Sequence, residues 1–300
     1  MPRALVLAML LTSCVARMAI EDGGVTGGGG GSNSAGGGAA AGGGGATGGG
    51  GGTTGGGGGA AACGALPACA GALQCRSAAT TGVGFDDQQD RLVAPAGAWP
   101  ASTSSWTFAS WVRIAVDRNE FSAFFTIEQP AGHSVEYNEL VTLADGTTLV
   151  FYDHVSGAAV TLGQLTVGTW YFAAVSVGPG GALSTWLAPE GGALVKVTGT
   201  AAVLDHIEMS YLGASNFAFT EFVNGSMTRA RLWNGVLSDA EIAAEFTSAA
   251  PVRTAGLIGD WRLSAAATAG VDSSGLAHSL TLDFGATHAT VSGPALTGCY

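Results

Sequence analysis

The chain has 300 residues, which leaves room for one or two domains. Its formal net charge is −11 with Lys196 as its single lysine, so the basic footprint of a nucleic-acid binder is absent. Roughly half of the 50 glycines precede Ala60, so the foldable part starts near Cys63 and is about 240 residues long, enough for one large sandwich. The hydrophobic fraction of 47% is swollen by alanine, and no apolar run reaches the ~20 residues of a mature membrane span.

The N-terminus orders a basic residue, Arg3, then the apolar run Ala4–Leu11, then the small-residue stretch Leu11-Thr-Ser-Cys14. That order describes an export signal, and the run is too short to span a bilayer. Leu11-Thr-Ser-Cys14 resembles a bacterial lipobox. The resemblance implies a signal peptide over 1–14 and a mature chain acylated at Cys14. Several acyl chains on one residue meet the requirement for stable anchoring. Val15, rather than Asp, follows the cysteine, which by the same resemblance points to the outer membrane.

Residues 15–62 form a Gly/Ala-rich linker with no apolar period, unable to offset its ordering entropy. Forty such residues average about 35 Å end to end, so this segment reads as a tether. Setting Cys14 aside, Cys63, Cys69, Cys75 and Cys299 remain, an even number that points to disulfides in an exported protein. Three connectivities are open. We expect Cys299 to join one of the other three, and Cys63 with Cys69 to close a small loop. Residues 63–82 thus form a cysteine-bearing lead-in to a domain over 83–300.

The domain reads as short strands. Val83–Phe85 and Arg91–Ala94 flank Asp86-Asp-Gln-Gln-Asp90. In Trp106–Val116, Trp106, Phe108, Val112, Ile114 and Val116 share one face and Trp111 and Arg113 the other, so both faces are covered. Phe121–Glu128 follows. Tyr137–Leu143 and Thr147–Tyr152 flank Ala144-Asp-Gly146, a strong hairpin signal. Trp170–Val177 is apolar on both sides and hence central, and Pro179-Gly-Gly181 turns it into Ala182–Ala188. Leu194–Thr198 and Ile207–Leu212 are read as further central strands. Leu257–Leu263 and Ser279–Asp283, with Asp272-Ser-Ser-Gly275 between them, close the chain.

The most informative stretch is Gly225–Phe246. Its first half alternates, with Met227, Arg229, Arg231 and Trp233 expected on one face and Thr228, Ala230 and Leu232 on the other. Asn234-Gly235 breaks the strand. Ser238 and Glu241 then make a capping box, Asp239 suits the helix dipole, and Ile242 and Phe246 form a short apolar stripe.

The pattern Gly225…Arg231-Leu-Trp-Asn234 followed by Val236-Leu-Ser…Glu241-Ile242 resembles the closing segment of laminin-G-like jelly-roll domains of the concanavalin A-like lectin/glucanase superfamily. The resemblance covers roughly 83–285. It implies an all-β, antiparallel two-sheet jelly-roll sandwich with one short helix, as do the regular strand spacing and the Gly/Pro/Asn/Asp turns. Pro189-Glu-Gly-Gly192 departs from the family's Asp-Gly turn, and the Trp-x-Leu…Asp-x-Ser-Gly pattern stands at the end of the domain rather than its start.

That fold hosts many activities. Glycoside hydrolysis needs two carboxylates about 5–5.5 or 6.5–9.5 Å apart. The family's single-strand Glu-x-Asp-x-x-Glu is absent, and Glu136 and Glu139 fall on opposite strand faces. Glu241 and Glu245 are expected at the helix surface. His133, His154, His206, His278 and His288 form no helical metal motif, and Asp153-His154 reads as a polar loop pair. The family resemblance leaves calcium open as a cofactor, with Asp86, Asp87 and Asp90 as the densest carboxylates and Asp145, Asp153 and Asp205 as single loop candidates; a solvated turn is the plain alternative. Trp99, beside Pro100, is the aromatic expected to be exposed for ligand contact. The sequence thus reads as an envelope lipoprotein presenting a non-catalytic module for a glycan or surface protein. The alternatives are a glycoside hydrolase with an atypical carboxylate pair, or a structural envelope or coat module.

Overall fold

The computed structural model describes residues 75–86, 91–95, 97–100, 104–117, 120–129, 137–204, 207, 209–215, 221–283 and 288–299. All lie in the unit spanning 54–300. Cys14, Cys63, Cys69, Asp87, Asp90, Asp205, the lipobox and the glycine-rich stretch lie outside the described residues.

Fifteen strands and one α-helix are described. They are β1 (Cys75–Asp86), β2 (Arg91–Val93), β3 (Trp106–Ile114), β4 (Ser122–Glu128), β5 (Tyr137–Thr142), β6 (Thr148–Asp153), β7 (Ala158–Gln164), β8 (Tyr171–Val177), β9 (Ala182–Pro189), β10 (Val195–Thr200), β11 (Met209–Leu212), β12 (Asn224–Asn234), α1 (Asp239–Thr247), β13 (Leu257–Trp261), β14 (Thr281–Asp283) and β15 (Ala289–Cys299). One sheet runs β10-β9-β8-β3-β12-β1-β15, with β13 also paired to β12. The other runs β14-β2-β11-β4-β5-β6-β7. The strand pairs are antiparallel, which is the expected jelly-roll sandwich.

The main core lies between the sheets. Trp106, Phe108, Val112 and Ile114 of β3 enter it together, as their alternation requires. Phe108 stacks flat on Phe125 of the opposite sheet at 3.9 Å between ring centroids. Trp111 points the other way, into a second apolar cluster with Phe172, Trp186, Trp233 and Ile242 on the outer face of the eight-stranded sheet. Helix α1 covers that face. Its capping box is formed: Glu241 N donates to Ser238 Oγ, and Ser238 N donates to Glu241 Oε2 at 2.7 Å.

Strand β12 corrects the expected alternation. Its register against β3 shifts between Thr228 and Arg231, and Arg229 takes a φ of 57°. This bulge reverses the pattern midway. Met227 therefore joins Ala230 and Leu232 in the main core, while Trp233 lies in the outer cluster. Two further readings change. Val195–Thr200 is an edge strand with mostly exposed residues rather than a central one, and Val116 falls beyond β3 and is exposed.

Candidate functional site

Two places carry the polar and aromatic groups of interest. The first is a depression of about 320 Å³ at the ends of β12 and β13, lined by Trp99, Asn234, Leu257, Leu276 and His278 among others. Trp99 is not exposed as expected. It is 6% accessible, packed into the main core, and its indole N–H donates to Ser210 Oγ at 3.4 Å. The preceding short turn, with Ala98 N donating to Pro95 O, folds it inward. It is a wall of the depression rather than a free platform.

His278, which also lines the depression, is held by the Asp272 loop. The Asp272 carboxylate accepts the backbone N–H groups of Asp260, Ser274 and His278 and the hydroxyl of Ser274. Burial alone would raise this carboxyl, but those donors outweigh it and hold it below the usual range. The loop thereby fixes His278, whose Nδ1 lies 2.7 Å from Ile258 O. In the neutral ring with Nδ1–H donating there, Nε2 is left as an acceptor. Leu276 stands half exposed at the rim.

The second place is the outer face of the seven-stranded sheet. Register puts Tyr211, Thr126, Glu139 and Tyr152 in one cross-strand row, with Glu128 opposite Tyr137 alongside it. Glu128 and Glu139 therefore share a face on neighbouring strands, a convergence that a search within one strand misses. Tyr211 Oη donates to Glu128 Oε1 at 2.8 Å, and the Arg91 guanidinium lies 4.7 Å from the Tyr211 ring. Glu139 Oε1 meets His154 Nε2 at 2.8 Å. His154 stacks on Tyr137 at 3.7 Å and meets Tyr152 edge-on. Glu139 is wholly buried and Glu128 nearly so.

Asp153 and His154, adjacent in sequence, do separate jobs. Asp153 is buried, and it accepts N–H groups from Val155 and Ala202 and the Ser156 hydroxyl, fixing the β6–β7 turn. Asp145 likewise binds its own hairpin turn through Thr147 N and Thr148 N. Both carboxylates are thus engaged by N–H donors. Asp86 is an exposed residue at the end of β1, opposite Asn224. Among the described residues, no group of three His, Cys, Asp or Glu side chains is placed to hold a metal ion.

Glu245 corrects another expectation. It is buried beneath α1, where it pairs with Arg231, and its Oε2 accepts Val252 N at 3.1 Å. No signal local to the helix reveals this, because the partner lies on β12. Backbone register also sets Cys75 directly opposite Cys299 in the β1–β15 pair.

Comparison with solved structures gives a candidate carbohydrate-binding protein of Bacteroides ovatus at TM-score 0.50 and 14% identity, covering 74% of this chain and 60% of that one. This chain thus spans less than two thirds of that protein's length. A heptameric SAP-like pentraxin of Limulus polyphemus matches at TM-score 0.49 and 12% identity, covering 72% and 95% respectively. Domains LG4-5 of the mouse laminin α1 chain match at 0.38 and 15%, covering 58% and 47%. No curated protein matches. A laminin-G-like family described as part of the Concanavalin A-like lectin/glucanases superfamily matches residues 86–243, more than half of the chain, and to that family the chain belongs.

Proposed function

We propose that this chain is an exported, lipid-anchored envelope protein whose sandwich binds a glycan or surface protein without catalysis. Cys14 would carry the anchor and residues 15–62 the tether. The depression beside Trp99 is the observation that carries the binding reading. It is open, has an aromatic wall, and faces an imidazole fixed by the Asp272 loop. A sugar ring offers one apolar face and a rim of hydroxyls, which suits such a lining. The description of the Bacteroides ovatus protein supports glycans as the ligand class.

The test is a glycan array and a surface-protein pull-down with the full chain, alongside the double variant Asn234→Ala/Leu276→Ser. Binding is expected, with loss in the variant at unchanged melting temperature. An empty array together with an empty pull-down would overturn the reading.

One observation favours a second reading, hydrolysis. Glu128 and Glu139 are diagonal neighbours on one face of adjacent strands, which brings two carboxylates to the same patch of the sheet. Against it, Glu139 is fully buried and already paired with His154. Sugar release from a polysaccharide panel, abolished by Glu139→Gln, would establish that reading; no release from any member rejects it.

A further inference from the structure

We propose that Cys75 and Cys299 form a disulfide that locks β1 and β15 together at the end where β1 begins and β15 finishes. Four cysteines allow three pairings by composition alone. The β-sheet register selects among them. Strands β1 and β15 run antiparallel in unbroken register from Cys75↔Cys299 through Ala79↔Ala295. Directly opposed residues in such a pair share a sheet face, with Cα atoms about 4.5–5.5 Å apart. That spacing lies inside the roughly 4.4–6.8 Å that a disulfide bridges. A slip of one residue would place the two cysteines on opposite faces, and the continuous run on the Cys75 side of the Ala79/Thr81 irregularity holds the register against it.

The location is where a covalent tie matters. Strand β15 is the sheet's edge, and it carries Pro294, which cannot donate to a ladder. With only β1 as its neighbour, it holds the sheet by one ladder. The bond forms by exchange with a small disulfide such as oxidised glutathione: both thiols lose a proton and an electron to it, and two glutathione thiols leave.

The full chain, oxidised with glutathione disulfide and alkylated without reduction, tests this by peptide mapping. Chymotrypsin cuts after Leu73 and Leu296 and trypsin after Arg76, so Cys75 is released on 74–76 and Cys299 on 297–300, apart from Cys63 and Cys69. We expect these two fragments to be joined, to separate on reduction, and Cys75→Ser to leave Cys299 alkylated. Cys299 joined to the fragment bearing Cys63 or Cys69, or found alkylated in the oxidised wild type, would overturn the assignment. The mapping on wild type stands even if the variant does not fold.

Discussion

Arg231 and Asp260 face each other across β12 and β13, with Nε donating to Oδ1 at 2.8 Å and both side chains shut off from solvent. Glu245 from α1 takes Nη1, and the carbonyl of Ala249 takes Nη2 at 2.8 Å. One guanidinium thus ties the strand, its neighbour and the covering helix together. Burial opposes the charge on Arg231, but the two carboxylates outweigh it and hold the guanidinium protonated. Arg231→Ala leaves two carboxylates buried without compensation, so we expect a loss of about 3–5 kcal/mol in chemical denaturation. Arg231→Lys should recover little, because an ammonium cannot fill three acceptors in a planar fork. Near-wild-type stability of the lysine variant would contradict the fork argument.

Glu245 gives this site a pH signature. Burial pushes its carboxyl above the ordinary 4.5, against the pull of Arg231. A carboxyl raised in the folded state binds its proton more tightly there than in the unfolded chain. Its contribution is therefore complete below about pH 4.5 and is lost as pH rises through the folded value. Glu245→Gln removes that titration and keeps the shape. Denaturation midpoints taken from pH 4.5 upward should fall less steeply in the variant than in wild type. Parallel curves would show that the carboxyl is not raised.

Asp272 works in the opposite sense. Its carboxyl is held low, so its stabilisation is present above the ordinary value of 3.8 and is lost as pH falls through the lower folded value. Asp272→Asn turns one acceptor oxygen into a donor facing N–H or O–H groups. Losing those bonds should cost about 1–3 kcal/mol at neutral pH, with the gap to wild type narrowing in acid. Because this loop fixes His278, amide exchange in 272–278 should speed up in the variant. Unchanged protection there would separate the loop from the depression it borders.

How much of this was legible beforehand depended on the range of the interaction. The two faces of β3, the Asp145-Gly146 hairpin and the Ser238/Glu241 capping box all rest on residues within a few positions of one another, and all are found in place. Strands β7 and β15 carried no comparable signal, since edge strands with exposed small residues lack an apolar period. The bulge at Arg229 was hidden because a positive φ on a non-glycine residue has no compositional mark. The pairing of Arg231 with Glu245 and the shared face of Glu128 and Glu139 depend on register between elements, which no single-strand pattern encodes. Trp99 misled because its neighbours Ala96-Gly-Ala-Trp-Pro100 look like a solvated loop, yet the chain folds its indole into the core.

The β8–β9 turn offers a last test, where two adjacent glycines differ in what surrounds them. Gly180 and Gly181 both have positive φ, 71° and 81°. A Cβ on Gly180 would meet open space, so Gly180→Ala carries only the left-handed penalty of about 1–2 kcal/mol. A Cβ on Gly181 would run into the backbone carbonyl of Ala201, which cannot swing aside as a side-chain tip can. Ala201 N also donates to Gly181 O at 2.9 Å, so relief of the clash breaks the tie between this turn and the segment after β10. Gly181→Ala should therefore lose clearly more stability than Gly180→Ala in matched urea titrations, and should loosen the pairing of β9 with β10. Equal losses in the two variants would mean that the penalty is one of backbone angle alone and that the Ala201 contact yields freely.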